Sequence, residues 1–247
     1  MSRSERRNPF IAGAPVLGPV LLARVQELNL DYLELLAAEH RAGGSHQLEH
    51  VPERLRAAFA GLSSSARSLL AAVPYTLYSL GFEDETFWLS LADMQGLRGA
   101  RIEERYGVPE GGRLDTQFAT LALLHAWHVT STSRMAARVV YAMPDSIAAR
   151  FVAMPLSRIY RMAFEHPDLL MPRWPTNPGF WPDLLRFAQG HDRERLATAK
   201  LLGNQLIAAE LEVAAARHRR KNIGIRFDSP RLRARRRQLE LRRGGKK

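Results

Sequence analysis

Apolar residues along the chain recur mostly three and four positions apart, the spacing that places side chains on one face of an α-helix. No segment keeps the two-residue alternation that a half-buried strand requires. The sequence therefore predicts an all-α fold. The predicted helices cover residues 20–41, 52–60, 63–73, 115–141, 144–153, 156–165 and 192–219.

Capping and helix-breaking residues set several of these boundaries. Ser63 is a predicted N-cap, because its hydroxyl can accept a hydrogen bond from a free N–H of the next turn. Pro52 fits the start of the preceding helix, where a missing N–H costs nothing. Residues 94–114 are rich in glycine and charge and are predicted to form a loop. Two aromatic stretches, around Trp88 and up to Trp181, are assigned no helix.

The segments 51–91 and 143–184 align with each other at an offset of 92 residues, which becomes 93 near Pro155. A long apolar helix follows each segment, and Leu123–Leu124 of one helix corresponds to Leu201–Leu202 of the other. We interpret this pattern as an internal duplication. Chance similarity between helical segments rich in leucine and alanine is the alternative. The aligned pairs include Val51 with Met143, Pro52 with Pro144, Phe59 with Phe151, Pro74 with Pro167, and Phe87–Trp88 with Phe180–Trp181.

The duplication predicts two tandem helical units that share a long central helix at 115–141. Trp88 and Trp181 would each be buried in one unit, because large aromatic rings dominate packing energy. The predicted organisation is an N-terminal arm at 1–19, a first unit at 20–114, a second unit at 115–216 and a basic tail at 217–247.

The net charge of +11 over 247 residues is carried by the C-terminal tail. Residues 217–247 hold 14 basic and two acidic side chains, whereas the remainder holds 22 basic and 23 acidic ones. The tail therefore has a net charge of +12 and the body one of −1. The chain has no cysteine, which excludes disulfides, thiolate metal sites and a cysteine nucleophile. No stretch of 18 apolar residues occurs, so no membrane-spanning helix is expected.

The basic tail is the strongest candidate site, and nucleic acid is the partner that fits it best. A dense arginine run attracts phosphates and releases their condensed cations without needing a shaped groove. An Asp228–Ser229–Pro230 sequence would cap a short helix at 231–243. An anionic membrane is a weaker partner, since few apolar residues would anchor it, and a solvated tail without a specific role is the remaining alternative. The candidate residues are Arg217, Arg219, Arg220, Lys221, Arg226, Arg231, Arg233, Arg235, Arg236, Arg237, Arg242 and Arg243.

A second candidate for DNA contact is the helix pair around Gly61, which has a partial helix-turn-helix pattern. The exposed residues of its second helix would be Ser64, Ser65, Arg67 and Ser68, a weakly basic set. An ordinary packed helix pair is the better interpretation, because Arg67 falls where a recognition helix usually turns an apolar residue inward.

Histidines and carboxylates do not assemble into a predicted catalytic or metal site. His46 and His50 lie four residues apart, and His125 and His128 three apart, spacings that could place ligands on one helix face. No carboxylate completes a zinc motif with them, and Glu103–Glu104 lies in a charged loop. We therefore expect no metal, no cofactor and no enzyme activity.

The first unit resembles the FlhD family of bacterial flagellar transcription regulators. The stretch from Val25 to Ala37 looks like the opening helix of that family. Its residues Asn29-Leu30-Asp31-Tyr32-Leu33 match the Asn-Leu-x-Tyr-Leu core of that helix. Residues 55–62 look like its next short helix, and residues 62–84 look like its Leu-Thr/Ser…Leu-Ala…Phe-Asp/Glu-Asp stretch. The resemblance covers residues 20–91, and the second copy at 115–187 would be more diverged.

This resemblance implies an all-α, cytoplasmic regulator that works with a zinc-containing partner subunit to activate promoters. Members of the family are dimeric and about half as long as this chain. The cysteine of some members is Tyr78 here, and the neighbouring basic residues are Ser79 and Gly81. The DNA contacts of that stretch are therefore not carried over.

Residues and resemblance together predict a transcriptional activator of flagellar or related secretion genes. It would bind DNA, or RNA, through the tail and a partner protein, such as an FlhC-like subunit, through the helical body. A protein-interaction adaptor or scaffold without specific DNA binding is the alternative. The N-terminal Arg3, Arg6 and Arg7 are similar to the start of a signal peptide, but Pro9 and Pro15 interrupt the apolar run. We expect a cytoplasmic protein that does not associate with membranes, with its oligomeric state open.

Overall fold

The computed structural model describes residues 16–41, 51–93 and 113–222 of the chain. The described residues are mostly helical, which confirms the all-α prediction. They form α1 (Pro19–Arg41), α2 (Glu53–Ala60), α3 (Ser64–Ala71), β1 (Tyr78–Ser79), α4 (Glu85–Asp93), α5 (Leu114–Thr132), α6 (Arg134–Tyr141), α7 (Asp145–Ala153), α8 (Leu156–Glu165), a 3₁₀ turn (Pro167–Leu169), β2 (Met171–Pro172), α9 (Phe180–Gln189) and α10 (Arg193–Asn222).

The capping predictions for the first short helices are confirmed. The Ser63 hydroxyl accepts a hydrogen bond from the Ala66 N–H at 3.1 Å, as an N-cap should. Helix α2 begins directly after Pro52 and ends at Gly61, whose N–H donates to the Ala57 carbonyl. Most of the predicted loop at 94–114 lies outside the described residues, and so do His46, His50 and Glu103–Glu104.

The predicted central helix at 115–141 is wrong as a single element, because Ser133 divides it into α5 and α6. Ser133 adopts an extended backbone with φ −153° and ψ 108°, and its side chain caps α6 by accepting from the Ala136 N–H. The hydroxyls of Thr130, Ser131 and Thr132 each donate to the carbonyl four residues earlier. Hydroxyl side chains that compete in this way weaken a helix, and a serine N-cap then begins the next one.

Two helices in the aromatic stretches were not predicted. Helix α4 starts behind Asp84, whose carboxylate accepts the Phe87 N–H at 3.1 Å. Helix α9 starts behind Asn177, whose side-chain oxygen accepts the N–H groups of Gly179 and Phe180. A side chain that accepts backbone N–H groups therefore precedes both helices, Asp84 before α4 and Asn177 two residues before the Gly179 N-cap of α9. The prolines and aromatic residues around these helices obscure their short apolar period.

Two strands of two residues each form the sheet among the described residues, which the sequence did not predict. Tyr78 of β1 lies opposite Pro172, and Ser79 lies opposite Met171 of β2. The strands are antiparallel, and each position of β1 corresponds to the position of β2 that is 93 residues later. The pairing is therefore symmetric: exchanging the two strands by this offset reproduces the same pairs.

Aromatic contacts between the flanking helices show the same symmetry as the strand pairing. Trp88 contacts Phe151 edge-on with ring centroids 5.2 Å apart, and Trp181 contacts Phe59 edge-on at 4.9 Å. Trp88 and Trp181 are 1% and 0% exposed, which confirms their predicted burial. We call residues 51–93 the first half and residues 143–189 the second half. Their superposition as two copies of one unit stays a prediction.

One continuous apolar core joins the two halves. Helix α1 packs against α2 and α3, and α5 packs against α7 and α8. Helix α4 crosses to α7, while α9 crosses to α3, so the closing helix of each half lies on the other half. Among the described residues, no helix combines the length and apolar character needed to cross a bilayer.

Candidate nucleic-acid interface

Helix α10 carries the start of the predicted basic tail, and its inner face is packed tightly on the body. Leu196 and Ile207 are buried in this face. Between them, Gly203 lies directly against the ring of Tyr75, where any Cβ would overlap the ring and its hydroxyl. Glycine is therefore required at 203 by close approach of a side chain to the helix backbone. The contact between Gly203 and Tyr75 therefore fixes the position of α10 on the body.

Polar side chains fix α10 at two further points. The Tyr75 hydroxyl donates to the Lys200 carbonyl at 2.8 Å, and the Trp174 indole N–H donates to the Glu210 carboxylate at 2.7 Å. The Lys200 ammonium donates to the Ala72 carbonyl at 3.1 Å, and burial lowers the pKa of this amine. These hydrogen bonds hold the middle of α10 on the body. The direction in which its last turns leave the body is therefore fixed.

The described part of the tail ends on α10. Arg217 and Arg219 are exposed, and Arg220 and Lys221 lie in the last turn of the helix. These four basic residues are consecutive along the chain apart from His218 and they precede the densest part of the tail. The other predicted contact residues lie outside the described residues: Arg226, Arg231, Arg233, Arg235, Arg236, Arg237, Arg242 and Arg243.

Glu85 at the start of α4 lies beside the end of α10. The His218 ring nitrogen Nδ1 is 3.6 Å from a carboxylate oxygen of Glu85, an ion pair when the imidazole is protonated. Glu83 accepts a hydrogen bond from the Ser79 hydroxyl at 2.9 Å, and Asp84 caps α4. Glu83 and Asp84 are therefore part of the local structure around α4, and Glu85 places a buried carboxylate of the body beside the basic end of α10.

The helix pair α2–α3 has little capacity to contact DNA. Ser64, Ser65 and Ser68 are exposed as predicted, but Arg67 is half-buried and donates to the Leu62 carbonyl at 3.0 Å. The prediction that Arg67 is exposed is therefore wrong, because its guanidinium folds back onto the preceding turn. Helices α1 and α9 both pack on α3, as expected for an ordinary packed helix.

Of the described histidine pair, His125 is engaged in a contact with another side chain. The His125 Nδ1 atom lies 2.5 Å from the Tyr141 hydroxyl, and burial lowers the pKa of His125 to about 4. This imidazole is therefore neutral at pH 7. His128 is exposed on the same helix. Within the described ranges, no group of three histidine, aspartate or glutamate side chains could hold a metal ion.

A buried guanidinium lies where the two halves meet. Arg173 is 3% exposed, and its Nη1 lies 3.3 Å from the Val140 carbonyl and 3.5 Å from the Thr76 carbonyl. The same Val140 carbonyl also accepts the Thr76 N–H, so these residues tie α6 to both strand segments. Burial lowers the pKa of Arg173, while the carboxylates of Glu210 and Glu83 oppose that shift.

The stretch that aligns with the basic segment of the FlhD family lies in the core. Tyr78 is fully buried, Ser79 is 8% exposed, and Gly81 adopts a left-handed backbone with φ 73°. Comparison with protein-family models, curated proteins and solved structures finds no match to this chain. The resemblance to the FlhD family therefore stays a prediction.

Sequence reasoning missed the residues that seat α10. No helical or charge pattern in the sequence indicates that the segments of Tyr75, Trp174 and Glu210 lie together. Gly203 was the available signal, because an isolated glycine inside a long helix usually has a packing reason. Its partner could not be named from the sequence, since Tyr75 is 128 positions away.

Proposed function

We propose that this protein is an FlhD-like transcriptional regulator that binds DNA through its basic C-terminal tail. One observation carries the proposal: a helix anchored in the core carries exposed Arg217 and Arg219 near its end, at the start of the segment 217–247, which has a net charge of +12. The body has a net charge of −1, so its long-range attraction for phosphate is weak. Affinity would come from the tail, and position from the helix that leads into it.

The regulated genes and the protein partner follow from the resemblance alone. It supports activation of promoters of flagellar or related secretion genes, together with an FlhC-like subunit bound to the helical body. Transcript levels of those genes after deletion of the gene for this protein would test that part. Unchanged transcript levels would contradict the regulatory proposal without bearing on nucleic-acid affinity.

Binding of the purified protein to duplex DNA across a salt series tests the role of the tail. If about six arginines contact phosphates, the slope of log K against log salt should be near −5. Deletion of residues 222–247 removes ten basic side chains. It should weaken binding at least about tenfold at moderate salt and flatten the slope. The truncated protein should stay folded, because these residues follow the anchored part of α10.

Two charge-matched double variants distinguish binding through the start of the tail, at Arg217 and Arg219, from binding through the body. Arg217→Gln with Arg219→Gln should weaken binding, whereas Arg54→Gln with Arg134→Gln should not, although all four side chains are exposed. Binding that survives the tail deletion would move the interface to the body. Absence of binding by the full chain at low salt would favour the adaptor alternative.

A further inference from the structure

Two neighbouring residues, Arg173 and Trp174, are held in unfavourable states. Arg173 is buried, its Nε has no hydrogen-bond partner among the described residues, and its Nη1 lies 3.3 Å and 3.5 Å from the Val140 and Thr76 carbonyls. Burying a charge without close partners costs free energy. Trp174 has a left-handed backbone with φ 47°, a conformation that a bulky residue adopts only under constraint.

The residue after Trp174 adds to this strain. It is Pro175, and a residue that precedes a proline favours an extended backbone. The Arg173 N–H donates to the Leu77 carbonyl at 3.0 Å, and the Arg173 carbonyl accepts from the Trp181 indole at 2.6 Å. These two bonds hold the backbone of Arg173 in place. A change to the extended backbone at Trp174 would therefore move the Arg173 side chain and the turn that follows it, while the core stays intact.

One side chain of α10 stabilises both residues. The Glu210 carboxylate accepts the Trp174 indole N–H at 2.7 Å. The Arg173 guanidinium lies over the Trp174 ring, 5.1 Å from its centroid. Burial lowers the pKa of Arg173, and the charge of Glu210 is the largest of the influences that oppose this shift. Glu210 therefore supports the strained backbone of Trp174 and the buried charge of Arg173 together.

Glu210 also marks a boundary within α10. The part of the helix before it contains the buried Gly203 and Ile207, whereas no described residue of the helix after Ile207 is buried. Near the end of the helix, His218 lies 3.6 Å from the Glu85 carboxylate and is itself exposed. Segments with few buried contacts open at a lower free energy than the core. The last turns of α10, which carry the first basic residues of the tail, are therefore attached less firmly than its first half.

We propose that Trp174 and Glu210 form a latch that has a closed and an open position. In the closed position, which this structure shows, the last turns of α10 lie on the body while Trp174 is strained and Arg173 is buried. In the open position Trp174 takes an extended backbone, the Arg173 side chain reaches water, and the part of α10 after Ile207 leaves the body. Backbone strain of this kind is concentrated in functional and switching segments. The latch sets where the basic tail begins, and it does not rest on nucleic-acid binding.

Glu210→Ala in the full chain tests the latch, and Glu212→Ala is the matched control because Glu212 is exposed on the same helix. Incorporated fluorotryptophan gives one fluorine NMR signal for each of the four tryptophans, and Trp174→Phe assigns the signal of Trp174. Glu210→Ala should move this signal to that of an exposed indole. It should also speed amide exchange in α10 after residue 210 about tenfold or more, as expected for a lost hydrogen bond to a charged group. Glu212→Ala should change neither. An unchanged Trp174 signal, or faster exchange in α10 without a change at Trp174, would overturn the proposal.

Arg173→Met distinguishes the latch from an ordinary structural role of the arginine. Removing the buried charge should make the closed position more stable, so amide exchange after residue 210 should become about fivefold slower or more than in the unchanged protein. An arginine that only holds the fold together would give the opposite result, because its loss would break contacts. Circular dichroism should show unchanged helical content. Faster exchange or loss of the fold in this variant would contradict the latch.

Discussion

Trp88 in the first half and Trp181 in the second half occupy closely similar environments. Each ring meets the preceding phenylalanine edge-on, at 5.7 Å for Phe87 and 5.2 Å for Phe180. Each indole N–H donates to a carbonyl seven or eight residues earlier in the chain, at 3.1 Å and 2.6 Å. Each ring then packs on a phenylalanine of the other half. Neither half completes its own aromatic cluster, so the two halves depend on each other for packing.

The halves differ in how they meet α10, which packs along α9 of the second half and contacts the first half through Tyr75, Ala72 and Glu85. Phe180 is fully buried, whereas Phe87 is only half-buried. Gly81 and Trp174 are 93 residues apart, and both have a left-handed backbone, with φ 73° and 47°. Glycine adopts this conformation without strain, and tryptophan does not. Trp174 is kept there because its ring packs on Phe180 at 4.6 Å and its N–H binds Glu210 of α10.

The largest expected effect is the loss of either tryptophan. Trp88→Ala and Trp181→Ala should each lower the free energy of unfolding by about 3–5 kcal/mol, because each leaves a cavity and loses apolar burial. Urea denaturation followed by circular dichroism measures both losses. Similar losses would support the likeness of the two environments. A loss below about 1 kcal/mol for one of them would show that its ring contributes little to the core of that half.

Two long helices are predicted with nearly correct ends, because their apolar residues recur at three- and four-residue spacing over many turns. Helix α1 spans Pro19–Arg41 against a predicted 20–41, and α10 spans Arg193–Asn222 against 192–219. Helices α4 and α9 were missed because they are short and begin inside aromatic, proline-containing stretches. The break at Ser133 was missed because the apolar period continues across it, while the serine and threonine hydroxyls decide the backbone locally.

The candidate site was predictable only as far as its charge. Clustering of arginine after residue 217 is visible in the sequence without any structure. The seating of α10 is not, since Tyr75, Trp174 and Glu210 are brought together by long-range packing. The same holds for Arg173, whose burial depends on carbonyls supplied by Thr76 and Val140. Long-range contacts of this kind leave no periodic signal in one sequence.

The next effect concerns the contact between α10 and Tyr75 of the first half, which has no counterpart in the second half because Tyr75 aligns with Asp168. Gly203→Ala should lower the free energy of unfolding by about 1–3 kcal/mol, because the added methyl overlaps the Tyr75 ring. In a Tyr75→Ala background the same substitution should cost much less. Gly18→Ala is the matched control, since no atom lies within 4 Å of a Cβ there. Equal costs of Gly203→Ala in both backgrounds, measured by urea denaturation, would contradict the proposed fit.

A smaller effect should appear on acidification through His125, which contacts Tyr141 just before the second half. The pKa of His125 is about 4 in the folded protein, against 6.5 for an ordinary histidine. The unfolded chain therefore binds the proton more readily, and stability should fall as the pH drops from 6.5 towards 4. The expected loss is about 1–2 kcal/mol, less than the full shift implies because the ring is partly open to solvent. His125→Gln should remove this part of the pH dependence in urea titrations at several pH values; an unchanged profile would contradict it.

The smallest effect is the coupling between aromatic rings of the two halves. Its measurement tests most directly whether the tryptophan of each half packs on the phenylalanine of the other. A double-mutant cycle between Phe59→Leu and Trp181→Phe should give a coupling energy of about 0.5–1.5 kcal/mol, because these rings meet edge-on. Phe151→Leu with Trp88→Phe should give a similar value. The control is Phe59→Leu with Trp88→Phe, both in the first half, whose effects should add to within about 0.5 kcal/mol. Coupling within a half that equals the coupling between halves would mean that the rings act as one undivided cluster. In that case the likeness of Trp88 and Trp181 would reflect shared surroundings and not an exchange between two units.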